Sequence, residues 1–343
     1  MADSSVTVLI VGDVYVQCPQ PESIFSSVAS HLREKDILFG NLEGLVTDVG
    51  EPTAAKQSTK QRSDESMLVA YTSSGFDVFS VANNHGGDYG WEGLQRCIEL
   101  LERSGIAHTG GGENIAEARK PAILERNGAK VAFLAYSSVF APAYAAGPKH
   151  GGLATVRVST SFEPHARHLE VPGSPPIVHT SADPKDAAAM IDDVRRAKKD
   201  ADAVIVSWHW GVSPASGGAG QIVDYQVEMA HAAIDAGADL IAGHHPHMPG
   251  AIEVYKGKVI FYSLGNFAYT RVKHPQTTLL VRSRFSDGKM PRVSFVPGRI
   301  NERGKPTLLD TKEGREVVED IVDRSTPLGT KFEINDREVI IAQ

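Results

Sequence analysis

The chain has 343 residues, enough for one large domain with an appendage or for two domains, and for a core that needs no covalent staple. Apolar residues make up 41% and charged residues 22%, which excludes disordered, fibrous and low-complexity classes. With 35 Lys and Arg against 42 Asp and Glu the net charge is −7, so composition offers no general surface for nucleic acid or an anionic membrane.

Residues 6–11 form a β-branched run that Gly12-Asp13 stops well short of a signal peptide or membrane span. They predict a buried strand, in a cytoplasmic chain without a membrane anchor. Ile24, Val28, His31 and Leu32 give residues 22–35 helical spacing, and 36–39 reads as a short strand delivering Asn41-Leu42-Glu43 to a loop. A helix near 64–74 precedes a strand at 78–81 and the loop Asn83-Asn84-His85. Leu94, Ile98 and Leu101 mark an amphipathic helix over 91–104, and a strand follows at 131–135.

From 138 to 184 the periodicity dissolves into Gly, Pro, Ser and His, which reads as a functional lid or as an irregular insertion with some short elements. A helix at 185–200 then leads to the strand 203–207 and Trp208-His209-Trp210. A helix at 222–236 leads to the strand 239–242 and Gly243-His244-His245-Pro246-His247. Strands at 251–255 and 259–262 flank the Lys256-Gly257 turn and end at Ser263-Leu264-Gly265-Asn266-Phe267. The tail from 276 holds three or four β segments and a polar helix. No internal repeat is visible. The plan is α/β, with 1–275 as the main domain and 276–343 as a β-rich extension packed on it.

Asp13, Glu43, Asn84, His85, His209, His245 and His247 each follow an apolar strand-like run, and strand ends in α/β folds converge on a common edge. Singly, each has an ordinary explanation. Asp13 can cap a turn, Glu43 can be a solvated acid, His209 can pack between its tryptophans, and His245 and His247 can lie on a wet loop. Together they offer carboxylate, amide and imidazole donors without sulfur, a set suited to the Mn, Fe or Zn ions used in hydrolysis. Cys18 and Cys97 stand far apart and outside any Cys-x-x-Cys pattern, which argues against a disulfide framework or a thiolate site. No P-loop is present, Gly110-Gly111-Gly112 reads as a turn, and Lys56, Lys60 and Arg62 read as a solvated basic run.

Gly12-Asp13, Asn41-Leu42-Glu43, Ala82-Asn83-Asn84-His85 with Asp88-Tyr89-Gly90, His209-Trp210-Gly211, Gly243 to His247 and Ser263 to Phe267, in this order, resemble the motif series of the CapA family. That family is associated with bacterial capsule and poly-γ-glutamate synthesis and is similar to the calcineurin-like metallophosphoesterases in fold. The resemblance runs from about residue 6 to 270. It implies a four-layer α-β-β-α sandwich carrying extra C-terminal strands, with two divalent metal ions (Mn, Fe or Zn) held by Asp13, Glu43, Asn84, His209, His245 and His247, Glu43 bridging. His85 corresponds to the histidine that protonates a leaving group, with Asp88 orienting it. His244 competes with His245 for the ligand role, and His245 is preferred for its spacing to His247. Tyr15 stands where metallophosphoesterases have the histidine of Asp-x-His, which removes one imidazole. Tyr15, Asn41, His244, Ser263 and Asn266 are expected to contact substrate or support the ligands, Ser263 and Asn266 being equally readable as a turn that closes the sheet.

The expected reaction is hydrolysis of a phosphoester or a γ-glutamyl-type amide in a small-molecule or anionic substrate, with no nucleic-acid partner. The alternative is a binding or scaffold protein for an anionic polymer, with no metal or only a structural one.

Overall fold

The computed structural model describes residues 5–55, 59–213, 220–286 and 291–343, so Lys56 of the basic run lies outside it. The first half contributes strands β1 (Val6–Tyr15), β2 (Ile37–Leu42), β3 (Val78–Ser80) and β4 (Ala107–Thr109), with helices α1 (Leu68–Ser74) and α2 (Gly90–Arg103). Strands β5 (Ala122–Arg126), β6 (Ala129–Ser137), β7 (Ala203–His209), β8 (Leu240–His244), β9 (Ile252–Tyr255) and β10 (Lys258–Phe261) follow, with helices α3 (Pro184–Asp200) and α4 (Asp224–Ala236). The chain closes with β11 (Asn266–Tyr269), β12 (Gln276–Phe285), β13 (Arg292–Ile300), β14 (Pro306–Leu308), helix α5 (Arg315–Ser325), β15 (Lys331–Ile334) and β16 (Val339–Ala342).

These strands build two large sheets. One has the order β15-β16-β13-β12-β1-β2-β3-β4, with β11 added to β1 and β14 to β13. The other has the order β9-β10-β8-β7-β6-β5. Strands β1 to β4 pair in parallel, as do β6, β7, β8 and β10, so their carboxyl ends lie on one edge of each sheet. The parallel strands are buried on both faces, which is why they read as continuous apolar runs.

Alternation along the strands sorts their side chains into separate clusters. Val8, Ile10, Ile37 and Phe39 of the first sheet share a cluster with Phe133, Ile205, Leu240 and Ala242 of the second. Phe39 and Phe133 stack there with ring centroids 5.3 Å apart. Leu9 and Leu38 turn the other way and meet Tyr71, Leu94 and Leu101 of α1 and α2. Val204, Val206 and Trp208 likewise meet Met190, Val194, Met229 and Ala233 of α3 and α4. Among the described residues no helix is long and apolar enough to cross a membrane.

Several elements differ from the sequence reading. Residues 22–35 form two short 3-10 turns and one α turn rather than a helix, because Ser23 and Ser26 hydroxyls bond back to the carbonyls of Gln20 and Ser23. The second strand runs on to Leu42, so Asn41 lies within it, and β7 and β8 extend through His209 and His244. The stretch 138–184 agrees with an insertion holding short elements: it contains an antiparallel hairpin, Val158–Glu163 with Ile177–Ala182, whose mostly exposed faces leave no alternating apolar signal. Gly111–Gly112 is a short strand paired with Gly152–Leu153.

One irregularity places the site. Between Ile10 and Asp13, β1 carries one residue more than β2, so the phase of its side chains reverses. Val8 and Ile10 face the other sheet, but Val14 and Val16 face the helices. Asp13 is thereby turned toward the second sheet. Gly12 sits at this bulge with Gly265 O so close that a Cβ would lie 1.8 Å from it. Gly12→Ala is therefore expected to cost about 1–3 kcal/mol of stability, read as a lowered thermal midpoint; an unchanged midpoint would contradict the packing described.

Candidate metal centre

Asp13 and Asn41 face each other across β1 and β2, and Asn266 pairs with Asp13 from β11. Asn41 Nδ2 donates to Asp13 Oδ1 at 2.8 Å and lies 3.2 Å from His209 Nδ1, linking the two sheets. Asn83, which the sequence reading passed over in favour of its neighbour Asn84, holds Asn41 by donating to its side-chain oxygen and to Leu42 O. His209 faces away from its tryptophans, which stack on each other at 5.2 Å on the helix side. Its Nε2 lies 3.1 Å from Asn84 Oδ1 and 3.7 Å from Glu43 Oε1.

The loop after β8 brings the remaining imidazoles. His245 has φ 95° and His247 φ 60°, left-handed values that cost a non-glycine residue roughly 1–3 kcal/mol each. The reward is placement. His245 packs edge-on to His209 with centroids 4.9 Å apart, and His247 Nδ1 lies 3.5 Å from both Asp13 Oδ2 and Glu43 Oε2. Two buried or half-buried groups thus bring ligand-type atoms within 4.8 Å of one another and could each hold a metal ion, Glu43 with His209 and His245, and Asp13 with Glu43 and His247. Glu43 belongs to both.

His244 takes no part in either group. It continues the inward face of β8 against Phe39 and sets its Nδ1 3.3 Å from Asp13 Oδ1, beneath the carboxylate. His85 lies beside the pair with Nε2 4.0 Å from Glu43 Oε1, and its Nδ1 is 2.6 Å from Asp88 Oδ2. Asp88 is held in turn by Gln61 N and the Tyr144 hydroxyl. Asn266 Oδ1 lies 3.0 Å from His247 Nδ1, and its amide donates to Gln276.

Ser263 and Tyr15 have partners of their own. Ser263 Oγ donates to Met248 O and accepts from Gly265 N, so it closes the loop. Tyr15 packs over Gly44, and its hydroxyl donates to Arg62 O. Gln61 and Tyr269 were missed. Gln61 follows a polar loop with no apolar pattern, and Tyr269 looks like any aromatic strand residue. Yet Gln61 Nε2 reaches both His85 Nε2 at 2.7 Å and the Tyr269 hydroxyl at 2.5 Å.

The electrostatics fit a cation. Burial by itself would raise the Asp13 carboxyl, but contacts from His244 and His247, with His209 nearby, hold it well below the usual carboxylate range. Burial, reinforced by His245, depresses His209 and leaves it neutral, the form that ligates. Burial opposes charge on His247 too, yet Glu43 and Asp13 outweigh it and push that imidazole up to about 10. Burial and the Glu43 carboxylate raise Tyr269 well above the usual phenol range, so it keeps its proton. Two buried carboxylates side by side call for positive charge, and the raised His247 imidazole between them answers that need.

The chain matches the family described as bacterial capsule synthesis protein PGA_cap over residues 7–271. It belongs to this CapA family. The capsule biosynthesis protein CapA of Bacillus anthracis is 31% identical over 290 residues, covering 82% of this chain and 62% of that protein. The PGA biosynthesis protein CapA of Bacillus subtilis is 29% identical over 307 residues, covering 89% and 72%. A Sinorhizobium fredii protein, y4sH, is 27% identical over 434 residues, covering 98% and 92%. All the ligand-type residues of this CapA-family chain, from Asp13 to His247, fall inside the matched span.

Protonated His247 gives the site a measurable signature. Loading a divalent cation there requires neutral imidazole, so about one proton per chain should be released at pH 8, falling toward zero above pH 10. In the metal-free protein the raised value means that this group's stabilisation is complete below about pH 6.5 and lost as pH rises through about 10. Metal titration in buffers of different ionisation enthalpy measures the release; none at pH 8 would contradict the assignment.

Proposed function

We propose that this CapA-family chain is a metal-dependent hydrolase acting on a phosphoester or γ-glutamyl-type amide in poly-γ-glutamate or capsule metabolism. The observation that carries this reading is the position of Glu43, whose two carboxylate oxygens face separate groups of buried ligands. Asp13, Glu43 and His247 would hold one divalent ion, and Glu43, His209 and His245 a second, with Asn84 at the edge of the latter. Mn, Fe and Zn all suit this oxygen and nitrogen set. When bound, such a pair supplies a water nucleophile at neutral pH and positive charge opposite a developing oxyanion.

The chain's own residues do the rest. Asn41 fixes the Asp13 carboxylate and faces the His209 ring at once, so the two sheets present their ligands in one geometry. Asp88, pinned by Gln61 N and Tyr144, accepts from His85 Nδ1 and sets the ring so that Nε2 faces Glu43. His85 is the residue through which a proton reaches the leaving group. The three side-chain clusters support a four-layer α-β-β-α arrangement of the metallophosphoesterase type, with 276–343 counted as an extension of the same domain. The substrate is a small or polymer-borne anion rather than a nucleic acid.

A panel of phosphoesters and γ-glutamyl amides, assayed with Mn, Fe or Zn, tests the reading and separates the two substrate classes. His85→Ala should lower turnover by roughly 10²-fold or more while metal content is retained. Unchanged turnover would remove His85 from the reaction.

A further inference from the structure

We propose that the Tyr269 hydroxyl, oriented by Gln61, donates a hydrogen bond to the substrate oxygen that takes up negative charge in this site. The inference rests on the hydrolase reading above and names a substrate-contacting residue within it.

Tyr269 ends β11, opposite Tyr15 in the parallel register with β1. Its ring is held from two sides, edge-on to His247 with centroids 5.5 Å apart and tilted against Tyr15 at 5.6 Å. The hydroxyl is therefore placed by packing, beside a residue of one candidate ligand group. It accepts from Gln61 Nε2, and the same nitrogen lies 2.7 Å from His85 Nε2. Phenol oxygen and imidazole nitrogen are thus two hydrogen bonds apart, on one wall of the site.

What remains unused on this wall points to a ligand. With Gln61 donating to it, the phenol keeps its own proton, and among the described residues no protein acceptor receives that proton. Tyr15, the neighbouring tyrosine, has by contrast spent its proton on Arg62 O. A buried hydroxyl with an undonated proton is costly to leave so unless something else accepts it. An oxyanion oxygen is such an acceptor, whether on phosphorus or on the tetrahedral carbon formed from an amide, and a preset donor facing developing charge is the commonest device for stabilising it. Gln61 acts on the phenol by fixing its direction, and the same amide nitrogen also meets the His85 ring.

The test uses inorganic phosphate as the oxyanion and the Mn-reconstituted full chain, with binding followed by calorimetry and metal content measured on each sample. Tyr269→Phe keeps the ring packing, so metal per chain and thermal midpoint should match the wild type while phosphate affinity falls tenfold or more. Gln61→Ala should weaken phosphate binding in the wild-type background and add nothing in the Tyr269→Phe background, because it acts through the phenol. Equal affinity in wild type and Tyr269→Phe would overturn the donor role, as would loss of metal in that variant. Additive losses would overturn the orienting role of Gln61. A metal-loaded wild type that binds no phosphate would overturn this inference together with the phosphoester half of the hydrolase reading, whereas a wild type that binds and a Tyr269→Phe that binds equally would overturn this inference alone.

Discussion

The contact on which the site depends is a backbone one: Gly12 against Gly265 O, with Asp13 N donating to that same carbonyl at 2.9 Å. It joins the bulge of β1 to the loop that enters β11. Because β1 gains one residue against β2 there, every side chain beyond it changes face. Without the slip, Asp13 would point with Leu9 and Val11 into the helix-side core, where a carboxylate has no partner. With it, Asp13 meets Asn41, His244 and His247 between the sheets. Any side chain at position 12 would push the two segments apart, so the glycine belongs to the candidate metal site as much as to the fold.

Around that anchor the molecule concentrates interactions that are unfavourable on their own. Two fully buried carboxylates lie among imidazoles, and the loop delivering two of those imidazoles uses left-handed backbone at His245 and His247. Parallel strands buried on both faces make this tolerable, since their positions are fixed by packing on either side and their ends cannot relax independently. The arrangement has the character of a site prepared for a cation, as the raising of His247 by Glu43 and Asp13 shows. The same rigidity gives Tyr269 and His85 defined positions beside the ligands, His85 through Asp88 and Tyr269 through ring packing.

Much of this was legible in the sequence because buried parallel strands announce themselves as apolar runs, and polar residues just past them mark the edge of a sheet. Asp13, Glu43, His209, His245 and His247 were found that way and do come together. Less visible was anything set by phase or by tertiary contact. The short apolar run before Asn41 suggests a loop there, although the strand continues to Leu42, and the bulge at Gly12 has no local pattern beyond the glycine itself. The serines of 22–35 offered apolar spacing compatible with a helix while their hydroxyls favoured turns. Gln61 and Tyr269 gained meaning only when folding brought residues 208 positions apart within hydrogen-bond distance. His244 was distinguishable from His245 by the inward phase of β8, which sequence suggests only once the strand is known to continue to residue 244.

The central claim, two cations sharing one bridging carboxylate, is tested most directly by elemental analysis of the reconstituted wild type beside Glu43→Ala. The account expects close to two ions per chain in the wild type and loss of both in the variant, since Glu43 serves both groups. One ion in the wild type, or a variant that keeps one ion firmly bound, would contradict the shared bridge; no ion under any condition would contradict the metal centre altogether and favour a protein that binds an anionic polymer without metal.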